Sequence, residues 1–306
     1  MDVSLMLEKK LKRWKWRRTI TGVIIEKLVT EGKSEEYIRQ NYSVAEVLLA
    51  WLEKNGYTDK PIDTAAIHNF YQYLKKTRKV TDVTIATYDR IIRRIYKIAV
   101  KDGYLTEDIM LDVPKPKASL KPPDPFTKLE VSRMIDGLTG HEMETLYKAI
   151  ILMVYDIGVR SGALCKLKLG DVDMETGDVL VIEKGGKYNL LRFGEKRTPE
   201  ALTQWLAIRP KSEYFFVNRR GKQLKPRVVW YAVQVACKRS GVRRRKEHNL
   251  RKSAGCEWTL NGMSPEYVQR SLGHTDFKVT YEHYIQPAMD QKRLEEMREH
   301  SPADRL

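Results

Sequence analysis

A mainly helical chain of two domains, the second carrying one small β-sheet in an α+β arrangement, is what this sequence predicts. Three observations carry that expectation. Apolar residues recur at helical spacing through the first hundred positions, a proline-rich break follows, and a strand-like alternation then appears once, around a single glycine turn.

The helical part comes first. Val44, Val47, Leu48, Trp51 and Leu52 line one helix face, and Tyr88, Ile91, Ile92, Ile95, Tyr96 and Ala99 line another. The polar positions between them are basic, including Lys75, Lys76, Arg78, Lys79, Arg90, Arg93, Arg94, Lys97 and Lys101. Such a face is either simply solvated or set against phosphates. Ahead of these helices, Lys9 to Arg18 interleaves Trp14 and Trp16 with seven cations, which reads equally as a helix packing its tryptophans or as a DNA-contacting arm.

The break lies between Pro114 and Pro125, where five of the twelve prolines fall. Proline lacks the N–H that helices and central strands need, so residues 114–125 are expected to be a linker. It separates an N-terminal helical domain, residues 1–113, from a second domain and its tail, residues 126–306.

The second domain opens at Thr127, which has the capping-box spacing to Glu130 and precedes Val131, Met134 and Ile135. Leu146, Ala149, Ile150, Met153, Val154 and Ile157 then hold helical spacing. Tyr147, Ile151 and Leu152 fill the gaps, so this helix is apolar nearly all round and is expected at the domain's centre. Residues 179–182 and 189–193 flank Lys184-Gly185-Gly186-Lys187 and predict a β-hairpin. Thr198-Pro199 and Ser264-Pro265 each look like a capping residue followed by proline in the first helical turn.

Composition narrows the function. Against 40 Asp and Glu stand 56 Lys and Arg, a formal charge of +16 over 306 residues. That balance favours an extended polyanion over a small neutral substrate, and nucleic acid is the first partner to consider. Cys165, Cys237 and Cys256 are widely spaced and form no metal-ligand pattern, so a reducing, cytoplasmic setting is expected. No apolar run near the N-terminus has the length of a signal peptide or membrane span, which predicts a soluble protein with no membrane partner.

Five polar clusters in the second domain bear on chemistry, and each also has an ordinary structural explanation. Arg160 follows the central helix, where a guanidinium either caps carbonyls or holds a phosphate through two parallel hydrogen bonds. Lys184 sits at the hairpin turn, where most lysines are merely solvated. His248 and Arg251 have the i, i+3 spacing that puts imidazole and guanidinium on one face, though they follow the basic run Arg243 to Lys246. Leu272-Gly273-His274 resembles a helix C-cap with a histidine at the negative end. Tyr281 and Tyr284 flank Glu282 and His283, a pattern that also suits an amphipathic anchor.

Taken in order, Arg160, a hairpin lysine, His248-x-x-Arg251, Leu-Gly-His274 and a following tyrosine resemble the tyrosine recombinases of the phage integrase family. The 24-residue step from Arg160 to Lys184 fits that resemblance too. It covers a catalytic domain from about Thr127 to Gln286, and the helical domain before it resembles the family's core-binding domain. The resemblance implies a site-specific DNA recombinase for integration or excision of a mobile element, working as a homotetramer on two double-stranded DNA sites. It implies that Arg160 and Arg251 clamp the scissile phosphate, that Lys184 is the general acid, and that His248 and His274 hydrogen-bond or move protons. Tyr284 is the implied nucleophile, with Tyr281 as its competitor, and no metal or other cofactor is implied.

Two departures stand out. The acidic residue common three positions after the arginine is replaced by Ala163, so its support is missing or comes from elsewhere. The family's tyrosine falls nine residues after the Leu-Gly-His histidine, a place held here by His283. Two other readings follow from the same residues: a type IB topoisomerase that nicks and reseals, and a non-catalytic DNA-binding protein derived from an integrase.

Overall fold

The computed structural model describes residues 23–57, 62–117, 124–139, 142–183 and 186–305. The basic Trp14 and Trp16 segment and Lys184 lie outside the described residues. The chain divides into two compact units, Met1–Lys121 and Pro122–Leu306. No described helix is long and apolar enough to cross a membrane.

In the first unit the helices are α1 (Val23–Thr30), α2 (Glu35–Lys54), α3 (Thr64–Lys76) and α4 (Asp82–Lys101). Three of them start where a side-chain oxygen can take up an orphan N–H of the first turn. Ser34 accepts from Tyr37, Asp63 from Ala66 and Thr81 from Thr84, each cap contributing about 1 kcal/mol. The expected apolar faces meet in a core of Val44, Leu48, Leu52, Phe70, Leu74, Ile92 and Ile95.

Two of the basic residues on α4 are not free for a partner. Arg93 donates Nε to the buried Asp89 at 2.8 Å and its terminal nitrogens to the carbonyls of Met110 and Val113. Arg94 pairs with Glu31 at 2.8 Å and donates to the Tyr37 hydroxyl. Sequence spacing placed both on the solvent face, whereas long side chains reached back to local acceptors. Lys76, Arg78, Lys79, Arg90, Lys97 and Lys101 remain exposed.

The second unit begins with α5 (Lys128–Asp136), whose Thr127 and Glu130 make both bonds of the expected capping box, at 3.2 and 2.9 Å. The buried helix α6 (Glu142–Ile157) is central: α8 (Arg197–Ile208), α9 (Pro226–Ser240) and α10 (His248–Leu260) all pack against it. A short α7 (Ser161–Leu164) follows α6 directly. Strands β1 (Asp178–Ile182) and β2 (Tyr188–Arg192) pair antiparallel with Leu180 opposite Leu190, the predicted hairpin.

Ser264 caps α11 (Pro265–Ser271) as expected. Thr198 does not cap α8, which starts one residue earlier at Arg197. Its hydroxyl instead donates to Asp156 at 2.6 Å, and a hydroxyl committed to a carboxylate at the end of α6 is not available to backbone N–H groups. Last come α12 (Phe277–Thr280), a π-helical turn (Tyr281–Ile285) and α13 (Gln286–Glu299), which run on without a break.

Candidate active site

The geometry of the polar clusters is set by three joints around α6. The first is the exit from that helix at Gly158, whose φ of +61° is open to glycine without strain. A Cβ there would also meet Trp258 at 2.9 Å. Its carbonyl accepts from one terminal nitrogen of Arg251, and the carbonyl of Leu272 accepts from the other. Arg251 is 2% exposed and so bridges α6 to the second joint, the Leu272-Gly273-His274 turn. Burial lowers its pKa, and the nearby Tyr284 opposes that effect. A guanidinium keeps its charge nonetheless.

His274 is fixed at both ring nitrogens. Nδ1 lies 2.9 Å from Thr280 Oγ1, and Nε2 lies 3.4 Å from Arg251. Arginine only donates, so Nε2 carries the lone pair and Nδ1–H donates to Thr280. Burial, and then the charges of Arg251 and Arg160, push the His274 pKa down to about 4, so the ring is neutral at pH 7. His248 opens α10 on the same side. Although more of its surface is exposed, burial and then Arg251, Lys252 and Arg160 also push it down to about 4.

A stability consequence follows for His274. Its folded pKa lies below the unfolded value of about 6.5, so between those limits the unfolded chain binds more protons and stability falls as pH drops. The slope is expected to reach about 1 kcal/mol per pH unit between pH 6.5 and 4. Urea midpoints across that window measure it. A His274→Gln variant should show a flatter profile, and identical profiles would rule His274 out as the source.

The third joint is the π turn. Gln286 N–H bonds to the Tyr281 carbonyl five residues back, which gives the turn one residue more than an α-helix would use. Pro287 supplies a cause: it has no N–H for the His283 carbonyl four residues earlier and its ring crowds that oxygen. The turn carries Tyr284 inward to 2% exposure, with its ring 5.2 Å from that of His274. Cys256 donates its thiol to the Tyr284 carbonyl at 3.4 Å. Tyr281 is 45% exposed and its ring lies tilted beside that of Phe277, 6.4 Å away, instead. His283, at the spacing where a tyrosine is expected, is half-buried and lies near enough for its charge to act on both His248 and His274.

Arg160 begins α7 but makes no cap bond with its side chain. It pairs with Glu183 at the end of β1 and donates to the Gly273 carbonyl at 3.4 Å. The structure therefore brings Arg160, His248, Arg251, His274 and Tyr284 to one face of the unit. Lys184 follows Glu183 directly in the chain but is not among the described residues. The basic run preceding His248 is partly consumed, because Arg243 and Arg245 both pair with Asp124, at 2.6 and 3.0 Å.

Sequence reasoning missed three supporting residues. Gly255 lies in the middle of α10, where glycine costs about 1 kcal/mol relative to alanine, and that cost was the available signal. The Tyr284 ring occupies the place its Cβ would take. Thr280 and Glu183 gave no signal, since an isolated threonine or a glutamate at a strand end has many ordinary uses.

Comparison with known proteins identifies the family of both units. Residues 125–291 match the model of the phage integrase family, and residues 23–115 match that of the phage integrase SAM-like domain. The tyrosine recombinase XerD of Oceanobacillus iheyensis is 26% identical over 236 residues, covering 74% of this chain and 79% of that protein. In fold, the chain is similar to the XerH site-specific recombinase bound to a palindromic difH substrate in a post-cleavage complex. That match has a TM-score of 0.72 and 20% identity, and covers 89% of this chain and 82% of the other. It is also similar to a lambda integrase tetramer bound to a Holliday junction, with a TM-score of 0.71 and 16% identity over 85% of this chain and 74% of that one.

Proposed function

This chain belongs to the phage integrase family and is a site-specific tyrosine recombinase, and from that premise we propose that it cuts and rejoins double-stranded DNA through Tyr284. The observation that carries the assignment of the nucleophile is the burial of Tyr284 beside Arg251 and the neutral His274, while Tyr281 points away.

A phosphodiester demands an in-line nucleophile, charge on its non-bridging oxygens, and a proton for the departing oxygen. The Tyr284 oxygen attacks phosphorus, the bond from phosphorus to the 5′ oxygen breaks, and a 3′-phosphotyrosyl link remains. Arg160 and Arg251 stabilise the phosphoryl oxygens, a contribution worth about 3 kcal/mol for each preorganised donor. Lys184 gives the leaving 5′ oxygen its proton. The neutral imidazole of His248 is able to accept the proton that the phenol gives up, while His274 is held as a hydrogen-bonding partner by Thr280 and Arg251. A 5′ hydroxyl from another strand then reverses the attack and seals the exchanged joint.

Exchange between two duplexes calls for four protomers on two DNA sites, and lambda integrase forms a tetramer bound to a Holliday junction. Met289, Leu294 and Met297 on α13 are each about 60% exposed, which suits a tail helix that docks on a neighbouring protomer. Integration or excision of a mobile element is the corresponding biological reaction. The exposed cations of α3 and α4 supply sequence-independent phosphate contacts.

The test uses the DNA site enriched from a random duplex pool, built once as a nicked duplex and once as two recombining copies. A covalent protein–DNA adduct and recombinant product are expected. Relaxation of supercoiled plasmid without recombinant product would mark a topoisomerase, and binding without any adduct would mark a non-catalytic DNA-binding protein.

A further inference from the structure

We propose that Glu183 is the positioning residue for Arg160, doing from the hairpin what the absent acidic group at position 163 does not do from α7. This rests on the reading of Arg160 as a phosphate ligand.

Three observations lead to it. Arg160 would be left without a carboxylate partner by Ala163, which stands one helical turn on along the same face. The guanidinium nevertheless has one, because Glu183 Oε2 accepts from it. The carboxylate side chain is 7% exposed and the arginine side chain 36%. A carboxylate buried that deeply requires a cationic partner, and Arg160 is its ion-pair partner among the described residues. The buried end of the pair thus fixes the guanidinium plane, while the rest of the fork stays open toward solvent, from where a phosphate arrives.

Glu183 is itself held at both backbone groups. Its N–H donates to the Lys187 carbonyl at 2.8 Å, and its carbonyl accepts from Gly186 at 3.1 Å. These bonds close the hairpin tip on the residue just before Lys184. On the other side the carboxylate lies against Gly273, where a Cβ would stand 3.4 Å from Oε1 and where φ is +57°. A glycine is therefore called for at that turn both by its backbone and by the space Glu183 takes. Arg160 completes the link by donating to the same glycine's carbonyl. One carboxylate in this way registers three parts against each other: the arginine, the strand leading to Lys184, and the turn leading to His274.

Oε1 has no hydrogen-bond partner among the described residues. The carboxylate is thus held by its charge pairing with Arg160 rather than by a wider network, and neutralising it should act chiefly on that arginine. A glutamine at 183 keeps the shape and removes the charge.

The experiment is Glu183→Gln in the full chain, measured on the nicked duplex for which wild-type protein forms adduct. At saturating protein the cleavage rate is expected to fall about 10- to 100-fold, the effect of a misplaced catalytic group. The Kd for DNA is expected to stay within about threefold, since binding is spread over many phosphate contacts. In an Arg160→Ala background, followed over long incubations, the same change should alter the residual rate by less than about twofold, because partners acting through one group are not additive. An unchanged or faster Glu183→Gln protein overturns the proposal, and so does a loss that persists at full size without Arg160. Failure of the wild-type protein to form any adduct would instead count against the recombinase site, a distinguishable result.

Discussion

Tyr284→Phe is expected to bind DNA as the unaltered protein does and to form no detectable covalent adduct, whereas Tyr281→Phe is expected to retain adduct formation. The substitution removes a single oxygen from a ring that is 2% exposed and packed on Gly255, so the hydrophobic contacts survive. Loss of a nucleophile costs roughly 10⁵- to 10⁶-fold in rate, far more than repacking would. Tyr281 is 45% exposed, beside Phe277, so its change touches mainly exposed surface. Gel separation of protein–DNA adducts after incubation with the nicked duplex reads both variants. The reverse pattern would move the nucleophile to Tyr281 and leave the enzyme class standing.

Arg251→Ala is expected to lose both activity and fold stability, which sets it apart from Arg160. The guanidinium donates to the carbonyls of Gly158 and Leu272, joining the end of α6 to the turn that carries His274. Its removal strands two buried acceptors, at about 1 to 3 kcal/mol each in the worst case, and opens a cavity beneath Tyr284. A lowered urea midpoint, by an equivalent of about 2 to 4 kcal/mol, is expected together with at least a 100-fold slower cleavage. Arg251→Lys keeps the charge but cannot fork to two carbonyls, so it should recover less than half of either loss. An alanine variant with normal stability would show that the two carbonyl bonds contribute little.

Much of this was legible in the chain itself, for identifiable reasons. The capping box at Thr127, the all-round apolar α6 and the glycine hairpin were readable because each depends on residues within a few positions of one another. The grouping of Arg160, His248, Arg251, His274 and Tyr284 was legible only through resemblance, since they span over 120 positions and no local pattern joins them. What escaped was long-range substitution of one partner for another. Ala163 was visible as a gap, but Glu183 reaches Arg160 across 23 positions, through tertiary structure alone. Arg93 and Arg94 were misjudged for a related reason: helical spacing tells which way a Cβ points and says little about where a long side chain ends.

Tyr284 stands ten residues after His274, inside the π turn, and that turn has a consequence for the tail. Each residue added to a helix turns everything beyond it by about 100° around the axis. The extra residue of the turn that holds Tyr284 therefore sets the azimuth of Met289, Leu294 and Met297 along α13 relative to that of the phenol. Tyr284 and the tail share one rotational setting, like two teeth cut on a single shaft. A twist of the tail is therefore separated from the Tyr284 ring by a single helical turn.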